Sequence, residues 1–382
     1  AAWSHHGGRL HARPQECSLP PARGCRVSAM KKLILGELHG EEAPAFSEAW
    51  GIELPGCYCQ EPRSEYEALH ETVGLLDESY RGVIDFRGED TAAFLDKVIS
   101  SPSLQLGDGS GQGSCLLSAK GRLLGSFTLY RLGTSHFRAV LGEPVREALL
   151  ESFRKYAFLS EIEVSDESSR VCLLGLRGPA AAGVLEAAGS AAPPGPFELG
   201  SFQLDGVPVE CAGAAQPGHY ELWIPPDALV ASWQRLQALV EEVGGLRVGW
   251  EAAESVRIEA GQASGGRDYD EEYFPVEVNE GERLSYDKCY VGQEVVARMR
   301  TYGQANRKLF QLSSPSGCEI VEGGLVTSDS AEAGRIGTVC YSFARSSPLA
   351  LAIIHRKFFN SKSLQLESGE PVEITEIPCN PE

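Results

Sequence analysis

The segment 286–298 combines several reactive side chains in a short space, with the sequence Tyr-Asp-Lys-Cys-Tyr-Val-Gly-Gln-Glu-Val-Val-Ala-Arg. Starting at Cys289, six consecutive positions supply a thiol, a phenol, a glycine, an amide and a carboxylate. Gly292 permits a tight turn into a helix that carries Val295 and Val296. The N–H groups and the dipole at a helix N-terminus stabilise a nearby thiolate. The segment therefore predicts a reactive cysteine.

A second interpretation gives the same segment a structural role. Cys289 would then be a small buried hydrophobe, and Gln293 and Glu294 would cap the helix. The two interpretations differ in an observable way, because a reactive thiol must reach solvent or a ligand.

Composition excludes two broad classes of function. The chain has 382 residues, which is enough for two or three domains, and a formal charge of −19. Because so acidic a protein repels polyanions, we expect neither general nucleic-acid binding nor an anionic membrane surface as partner. Near the C-terminus the longest apolar run is 349–354, far short of the ~20 residues that a membrane span needs.

The cysteines indicate reduced thiols in an intracellular compartment. There are 11, an odd number, and they form no Cys-x-x-Cys pair. Cys57 and Cys59 could supply two metal ligands, but no second pair or histidine cluster follows them. A zinc site needs about four ligands, so we predict no metal site.

The N-terminal residues 1–32 have the composition of an organelle transit peptide. They hold six Lys or Arg and a single acid, Glu16. The other residues carry 28 basic against 52 acidic side chains. A disordered basic tail without a targeting role is the alternative. The sequence begins Ala-Ala-Trp, so we expect its native start to lie further upstream. We predict the chloroplast stroma as location, with the mitochondrial matrix as alternative.

Patterning predicts the remaining organisation. Residues 33–63 are interpreted as a linker, 64–300 as an αβ region with an internal boundary near 188–196, and 301–382 as a small all-β barrel. A capping box is expected at Ser64–Glu67. Periodicity predicts helices at 64–72, 90–98, 144–153, 226–240 and 251–260, a further helix that begins at 178–179, and strands at 82–86, 126–130, 162–164, 171–176 and 220–224.

Two charged groups suggest a small-molecule site. Glu221, on a strand next to Tyr220, could accept two N–H donors from the amidine edge of a flat heterocycle. Arg257, on the following helix, could pair with a carboxylate tail. Alternatively, these are surface residues or each other's salt-bridge partner. Lys120 and Arg122 flank Gly121 in a turn. Either they are the charged residues of an ordinary hairpin turn, or they form a basic pair that contacts an anionic ligand.

These motifs resemble those of the YgfZ-type folate-binding proteins, relatives of the glycine-cleavage aminomethyltransferase (GcvT). Segment 289–294 matches the family signature Cys-Tyr-x-Gly-Gln-Glu, and Lys120, Gly121 and Arg122 match its Lys-Gly-Arg. Stretches 220–223 and 257–261 are similar to folate-contacting stretches of both families. The resemblance spans about 65–380. It implies an α+β fold: a three-domain, ring-like arrangement with a central opening for tetrahydrofolate and a small C-terminal β-barrel.

The sequence departs from the family patterns at three positions in two segments. Asp287 and Lys288 stand where the YgfZ signature has Lys-Gly, so the lysine is displaced by one position. Aminomethyltransferases have an aspartate near the reacting folate nitrogen, and Ser126 occupies its place here. A serine supplies neither the charge nor the proton acceptor of a carboxylate, which argues against glycine-cleavage chemistry.

The resemblance implies a folate-dependent accessory factor for iron–sulfur cluster assembly or repair. Its working thiol would be Cys289, positioned by Tyr290, Gln293 and Glu294, and its partners would be assembly or client proteins. One cysteine cannot hold a four-thiolate cluster, so a cluster would be transient and shared with a partner. The alternatives are a tetrahydrofolate-dependent aminomethyltransferase and a non-catalytic folate-binding scaffold.

Overall fold

The computed structural model describes residues 31–302 and 305–377. These ranges contain four β-sheets and eight α-helices. None of these helices has the length and apolar character needed to cross a membrane. The helices are α1 (Gly36–Glu42), α2 (Pro62–Glu71), α3 (Thr91–Val98), α4 (Glu143–Ala157), α5 (Ala181–Ala187), α6 (Leu229–Glu242), α7 (Trp250–Glu259) and α8 (Gln293–Tyr302).

The segment predicted to be a linker is folded. It contains helix α1 and two strands of a three-stranded sheet in the order β1-β3-β2, and Leu33, Ile52 and Leu54 make a small core there. The strands are β1 (Lys31–Lys32), β2 (Ala45–Ala49) and β3 (Ile52–Cys57). The prolines and charged residues suggested a linker, but β3 is buried along almost its whole length, so this segment packs as part of the fold.

A six-stranded sheet, in the order β11-β12-β13-β10-β4-β14, forms one half of the αβ region. Helices α5 and α6 cover one of its faces, and Trp233 is fully buried in the core between them. The strands are β4 (Gly74–Asp77), β10 (Cys172–Arg177), β11 (Leu199–Leu204), β12 (Val207–Gly213), β13 (His219–Ile224) and β14 (Leu246–Arg247).

A five-stranded sheet, in the order β6-β7-β8-β5-β9, forms the other half. Helices α3 and α4 bury Phe94, Leu95 and Phe153 against it. The strands are β5 (Gly82–Arg87), β6 (Gly111–Leu117), β7 (Leu123–Gly133), β8 (His136–Leu141) and β9 (Glu163–Asp166).

The C-terminal sheet has six strands in the order β19-β16-β17-β18-β15-β20. Between β19 and β20 the chain turns sharply, because the N–H groups of Leu366 and Val372 donate to the carbonyl oxygens of Glu370 and Leu364, and it then joins the opposite edge of the sheet. The sheet therefore curls into a half-barrel. Its strands are β15 (Arg307–Ser313), β16 (Leu325–Ser328), β17 (Ala331–Ser342), β18 (Ser347–His355), β19 (Leu364–Leu366) and β20 (Glu373–Glu376).

One buried cluster connects the reactive segment to the rest of the molecule. Tyr290 and Val296 pack with the hairpin residues Cys115 and Leu123 and with the outer face of the half-barrel, including Leu351. The segment thus lies between the β6–β7 hairpin and the C-terminal sheet. The predicted turn at Gly292 and the helix after it are both present.

Candidate functional site

The motif loop, residues 286–294, contacts the turn between β6 and β7 through two glycines. Gly292 has φ +81° and Gly121 has φ +73°. A Cβ at Gly292 would lie 2.4 Å from the carbonyl oxygen of Ser118, and a Cβ at Gly121 would lie 3.3 Å from the carbonyl oxygen of Gly292. The two backbones therefore meet without side chains between them, which brings Lys120 and Arg122 beside the motif loop.

Side chains of the motif loop alternate between inside and outside. Lys288 points inward, and its ammonium donates to the carbonyl oxygens of Ser101 (2.7 Å) and Ile99 (3.0 Å) and pairs with Asp96 at 3.4 Å. Burial lowers the pKa of Lys288, and the charge of Asp96 opposes that shift. Because those carbonyls follow α3, Lys288 anchors the motif loop to the end of that helix.

The neighbours of Lys288 follow the same alternation. Cys289 is exposed, so the interpretation that made it a buried hydrophobe is wrong. Tyr290 is buried, and its hydroxyl has no hydrogen-bond partner among the described residues. Burial also raises the pKa of Tyr290 above its ordinary range. The loop thus presents a thiol to solvent, and the residues on either side of it hold it in place.

The remaining motif residues lie at the surface. Glu294 forms an exposed ion pair with Arg298 at 2.5 Å, one turn along α8. Gln293 is half-buried at the first position of α8, and Lys120 is exposed. Arg122 stacks 3.8 Å above the ring of Phe274.

Glu221 belongs to a buried network of charges. It forms an ion pair with Arg81, which also binds Glu78 at 2.9 Å, and Arg177 binds Glu78 in turn. Glu221 is 13 % exposed, and its Oε2 atom is buried without a hydrogen-bond partner in the described ranges. The cross-strand neighbours of Glu221 are the small residues Gly175 and Ala212, and the carboxylate of Glu78 lies against Gly175.

Strand alternation separates Tyr220 from Glu221. Tyr220 packs into the core under α5 and α6 and is 9 % exposed. Trp223, two residues beyond Glu221, packs against Tyr130 on the opposite face. The structure therefore does not bring Tyr220 and Glu221 to one site, and Tyr130 is the tyrosine beside Glu221.

The guanidinium of Arg257 has its N–H groups occupied. It donates to both oxygens of Glu254 (2.7 and 2.9 Å), to Asp268 (3.0 Å), to Thr338 (2.8 Å) and to the carbonyl oxygen of Gln262. An arginine has five N–H donors, so none remains for a ligand carboxylate. Arg257 and Glu221 are not partners of each other. The arginine instead joins α7 to the 262–268 loop and to β17.

Ser126 has a carboxylate beside it. Its hydroxyl lies 3.1 Å from Oε1 of Glu280 and 3.2 Å from the hydroxyl of Tyr269. Glu280 is 13 % exposed and forms an ion pair with Arg283. Glu280 lies in an irregular stretch without periodicity, so the sequence carried no signal that would have placed it next to Ser126.

Tyr130 lies between the two charge clusters. Burial raises the pKa of Tyr130, the charge of Glu221 adds to the shift, and Arg81 and Arg283 oppose it. Glu280 in turn acts on Tyr269, because burial and then the Glu280 charge raise the pKa of that phenol. Glu221, Arg81 and Arg283, the partner of Glu280, thus all lie within electrostatic range of Tyr130.

No metal centre is apparent in the part of the chain that the structure describes. No three His, Cys, Asp or Glu side chains come together there as ligands. The thiol of Cys57 is buried, and burial followed by the charges of Glu251 and Glu65 raises its pKa to about 11. At neutral pH this thiol is protonated and is a poor metal ligand.

Comparison with known proteins defines the class. The family model "GCVT N-terminal domain" matches residues 35–288, and the chain belongs to that family. Among curated relatives, an "Aminomethyltransferase" of Rubrobacter xylanophilus is 29% identical over 280 residues, covering 72% of this chain and 74% of the relative. An "Aminomethyltransferase" of Stenotrophomonas maltophilia is 24% identical over 361 residues, covering 91% and 95%.

A solved structure shows the same fold. The crystal structure of glycine cleavage system aminomethyltransferase T from Bartonella henselae has a TM-score of 0.78 and 21% sequence identity, and the match covers 92% of this chain and 98% of that one. The predicted mixed α/β aminomethyltransferase fold, with its C-terminal β half-barrel, is confirmed. The relationship to GcvT is confirmed as well. The narrower YgfZ-type assignment, the domain boundaries and the site residues stay predictions.

Proposed function

We propose that this protein binds a tetrahydrofolate-type ligand against Glu221 and Arg81, for use in one-carbon chemistry. The observation that carries the proposal is the buried Oε2 atom of Glu221, which has no hydrogen-bond partner in the described ranges. A buried acceptor without a partner costs about 1–3 kcal/mol, and more when it is charged. A ligand that donates to this oxygen removes that cost. Tetrahydrofolate is the cofactor of the GCVT family.

The residues present suit the pterin end of such a ligand. A pterin offers adjacent N–H groups on one edge, which match a carboxylate in a charge-assisted pair. Arg81 fixes the orientation of the Glu221 carboxylate, and its cross-strand neighbours Gly175 and Ala212 place no long side chain beside it. Tyr130 and Trp223 are buried and pack edge to face against each other on the same side of the sheet.

The first test measures tetrahydrofolate binding by titration calorimetry in Glu221→Gln. This substitution keeps the side-chain shape but removes the charge, so we expect binding to weaken by about tenfold or more, since charge-assisted bonds contribute roughly 1.5–3 kcal/mol. Glu210→Ala is the control, because Glu210 lies on the neighbouring strand with a half-exposed carboxylate paired to Arg138. An unchanged dissociation constant in Glu221→Gln would remove Glu221 from the site.

One use of the bound folate is one-carbon transfer, as the names of the relatives suggest. Replacement of the family aspartate by Ser126 argued against this chemistry. Glu280 answers that objection, because its carboxylate lies 3.1 Å from the Ser126 hydroxyl. We propose that Glu280 holds the negative charge and accepts the proton that the aspartate handles in the relatives, with Ser126 and Tyr269 orienting it.

The second candidate is the YgfZ-type role in iron–sulfur cluster assembly or repair. The observation that favours it is the exposed thiol of Cys289, on a loop fixed from inside by Lys288 and Tyr290. A cluster would be cargo, with a partner protein supplying the other ligands. For either candidate we propose an organelle, the chloroplast before the mitochondrion, from the composition of residues 1–32. Residues 1–30 lie outside the described part.

A paired experiment separates the uses of folate. Glu280→Gln and Cys289→Ser are compared for one-carbon transfer from an aminomethyl-lipoyl carrier protein, and for iron–sulfur enzyme activity in cells that lack the protein. Transfer is expected to fall about 100-fold in Glu280→Gln, as for loss of a general base, and to persist in Cys289→Ser. Loss of iron–sulfur enzyme activity in Cys289→Ser alone, with folate affinity intact, would establish the second candidate. Wild-type behaviour of both variants would leave a folate-binding scaffold.

A further inference from the structure

A cavity of 760 Å³ lies where the β6–β7 turn meets the start of β15 and the end of β18. Its lining includes Arg122, Phe274, Arg307, Arg356 and Lys357. This volume falls within the range of about 300–1,000 Å³ that is usual for small-molecule sites. The residues that carry the folate proposal are not in its lining, so the cavity is a separate feature.

The charge of the lining is strongly positive in a protein of net charge −19. Glu277 is the acidic residue of the lining; its side chain is 2% exposed and pairs with Arg307 at 3.4 Å. Among the ion pairs of the described residues, none involves Arg122, Arg356 or Lys357. Arg356 and Lys357 are exposed, so three cations face this cavity without a carboxylate to balance them.

Two of the arginines are fixed in place as a pair. Arg122 and Arg307 both donate to the carbonyl oxygen of Glu272, at 2.5 and 2.8 Å. Each guanidinium also stacks on an aromatic ring, Arg122 on Phe274 at 3.8 Å and Arg307 on Tyr273 at 4.1 Å. Glu277 balances the charge of Arg307, whereas Arg122 has no ion-pair partner among the described residues, so the two arginines keep an excess positive charge that an anion would compensate. The aromatic rings and the shared carbonyl oxygen hold both guanidinium groups in place before a ligand arrives.

We propose that this cavity binds a small ligand that carries two or more phosphate or carboxylate groups. The planar guanidinium groups of Arg122 and Arg307 can each donate two parallel hydrogen bonds to a phosphate or a carboxylate. The exposed side chains of Arg356 and Lys357 add positive charge at the rim of the cavity. This site is separate from the folate site that we propose at Glu221. Arg122 also follows Gly121, which packs on the motif loop at Gly292, so the ligand would lie next to the segment that presents Cys289.

The test is calorimetric titration of the full chain with inorganic pyrophosphate and, separately, with citrate, at ~50 mM salt, where exposed charges are weakly screened. The proposal expects binding of at least one of the two probes, and the difference between them distinguishes phosphate from carboxylate. In Arg356→Ala/Lys357→Ala binding should weaken about tenfold. The matched control is Lys155→Ala/Lys362→Ala, which removes the same charge from exposed positions outside the cavity.

Three results would overturn the proposal. The first is no binding of either probe at millimolar concentration, and the second is equal weakening in the control, which would mean general charge attraction. The third is loss of tetrahydrofolate binding in Arg356→Ala/Lys357→Ala, which would make the cavity part of the folate site. Both mutated residues are exposed, and a thermal melt confirms folding. Arg122→Lys, which keeps the charge but loses the fork, should also weaken binding of the preferred probe.

Discussion

Lys288 and Gly292 show how single residues shape the motif loop. The YgfZ signature has its lysine one position earlier and a glycine directly before the cysteine. Here Lys288 is turned inward to the carbonyl oxygens of Ile99 and Ser101, so its ammonium anchors the loop rather than facing a ligand. The displaced lysine therefore fixes the backbone on one side of Cys289, and the glycine contact between Gly292 and Gly121 fixes it on the other.

That glycine contact makes a prediction at the residue scale. Gly292→Ala should lower the free energy of unfolding by two effects: about 1–2 kcal/mol from the left-handed backbone and about 1–3 kcal/mol from forcing a methyl group against the Ser118 carbonyl. Gly206→Ala is the control, because Gly206 has φ +87° and no atom within 4 Å of the position that an added Cβ would take. Urea unfolding of both variants measures the difference. Equal destabilisation would mean that the contact between the two loops is relaxed in solution.

At the scale of elements, periodicity in the sequence correctly predicted the helices and strands whose buried face is formed by regularly spaced apolar residues. The stripe of Leu229, Trp233, Leu236 and Val240 became the buried face of α6, and the alternation around Phe127 became β7. The glycine turn before α8 is also where the sequence placed it. These features depend on residues that are close in sequence, so the spacing of apolar residues within a short stretch of the chain is enough to predict them.

Elements that were missed depend on turn chemistry or on distant partners. The hairpin of β11 and β12 turns at Asp205 and Gly206, both with positive φ, a signal that was present but overlooked. The capping box expected at Ser64 is absent, because α2 begins at Pro62 and Glu61 is its N-cap. Proline at the first turn competed with the serine and determined the start of the helix.

The candidate site was less predictable than the fold because its contacts join distant segments. Glu280 meets Ser126 across 154 positions, and Arg81 meets Glu221 across 140. No local sequence pattern indicates which side chains will meet when they lie so far apart in the chain. The sequence therefore identified Glu221 as chemically interesting but assigned it neither its partner nor the correct neighbouring tyrosine.

At the scale of the whole molecule, Asp85 and Arg138 connect the two sheets of the αβ region. Asp85, on β5, accepts hydrogen bonds from Nε of Arg138 and Nε2 of His136 on β8, each at 2.7 Å. Arg138 continues to β12, where it pairs with Glu210 at 3.3 Å, and it lies 5.0 Å from the ring of Trp223 on β13. A fully buried carboxylate thus holds the arginine that spans the junction beside the Glu221 strand.

The lowered pKa of Asp85 at this junction predicts how the stability of the protein depends on pH. Burial alone would raise the pKa of Asp85, but the hydrogen bonds and charges of His136 and Arg138 outweigh it and lower the pKa to about 2. The unfolded-state pKa is about 3.9, so ionised Asp85 stabilises the fold above that pH, by roughly 2 kcal/mol, and the contribution is lost as pH falls from about 4 to about 2. About half of it should already be lost near pH 3.

Comparison of Asp85→Asn with wild type isolates this contribution from the other carboxylates. The free energy of urea unfolding, measured from roughly pH 6 to pH 3, should be about 3 kcal/mol lower in Asp85→Asn at the upper end, because Arg138 loses its buried partner. The difference should narrow toward pH 3, since wild type loses the ionised Asp85 while the variant has nothing to titrate at this position. Asp227→Asn, at an exposed position just before α6, should follow wild type throughout. Parallel curves for wild type and Asp85→Asn would show that Asp85 titrates normally and does not join the sheets through its charge.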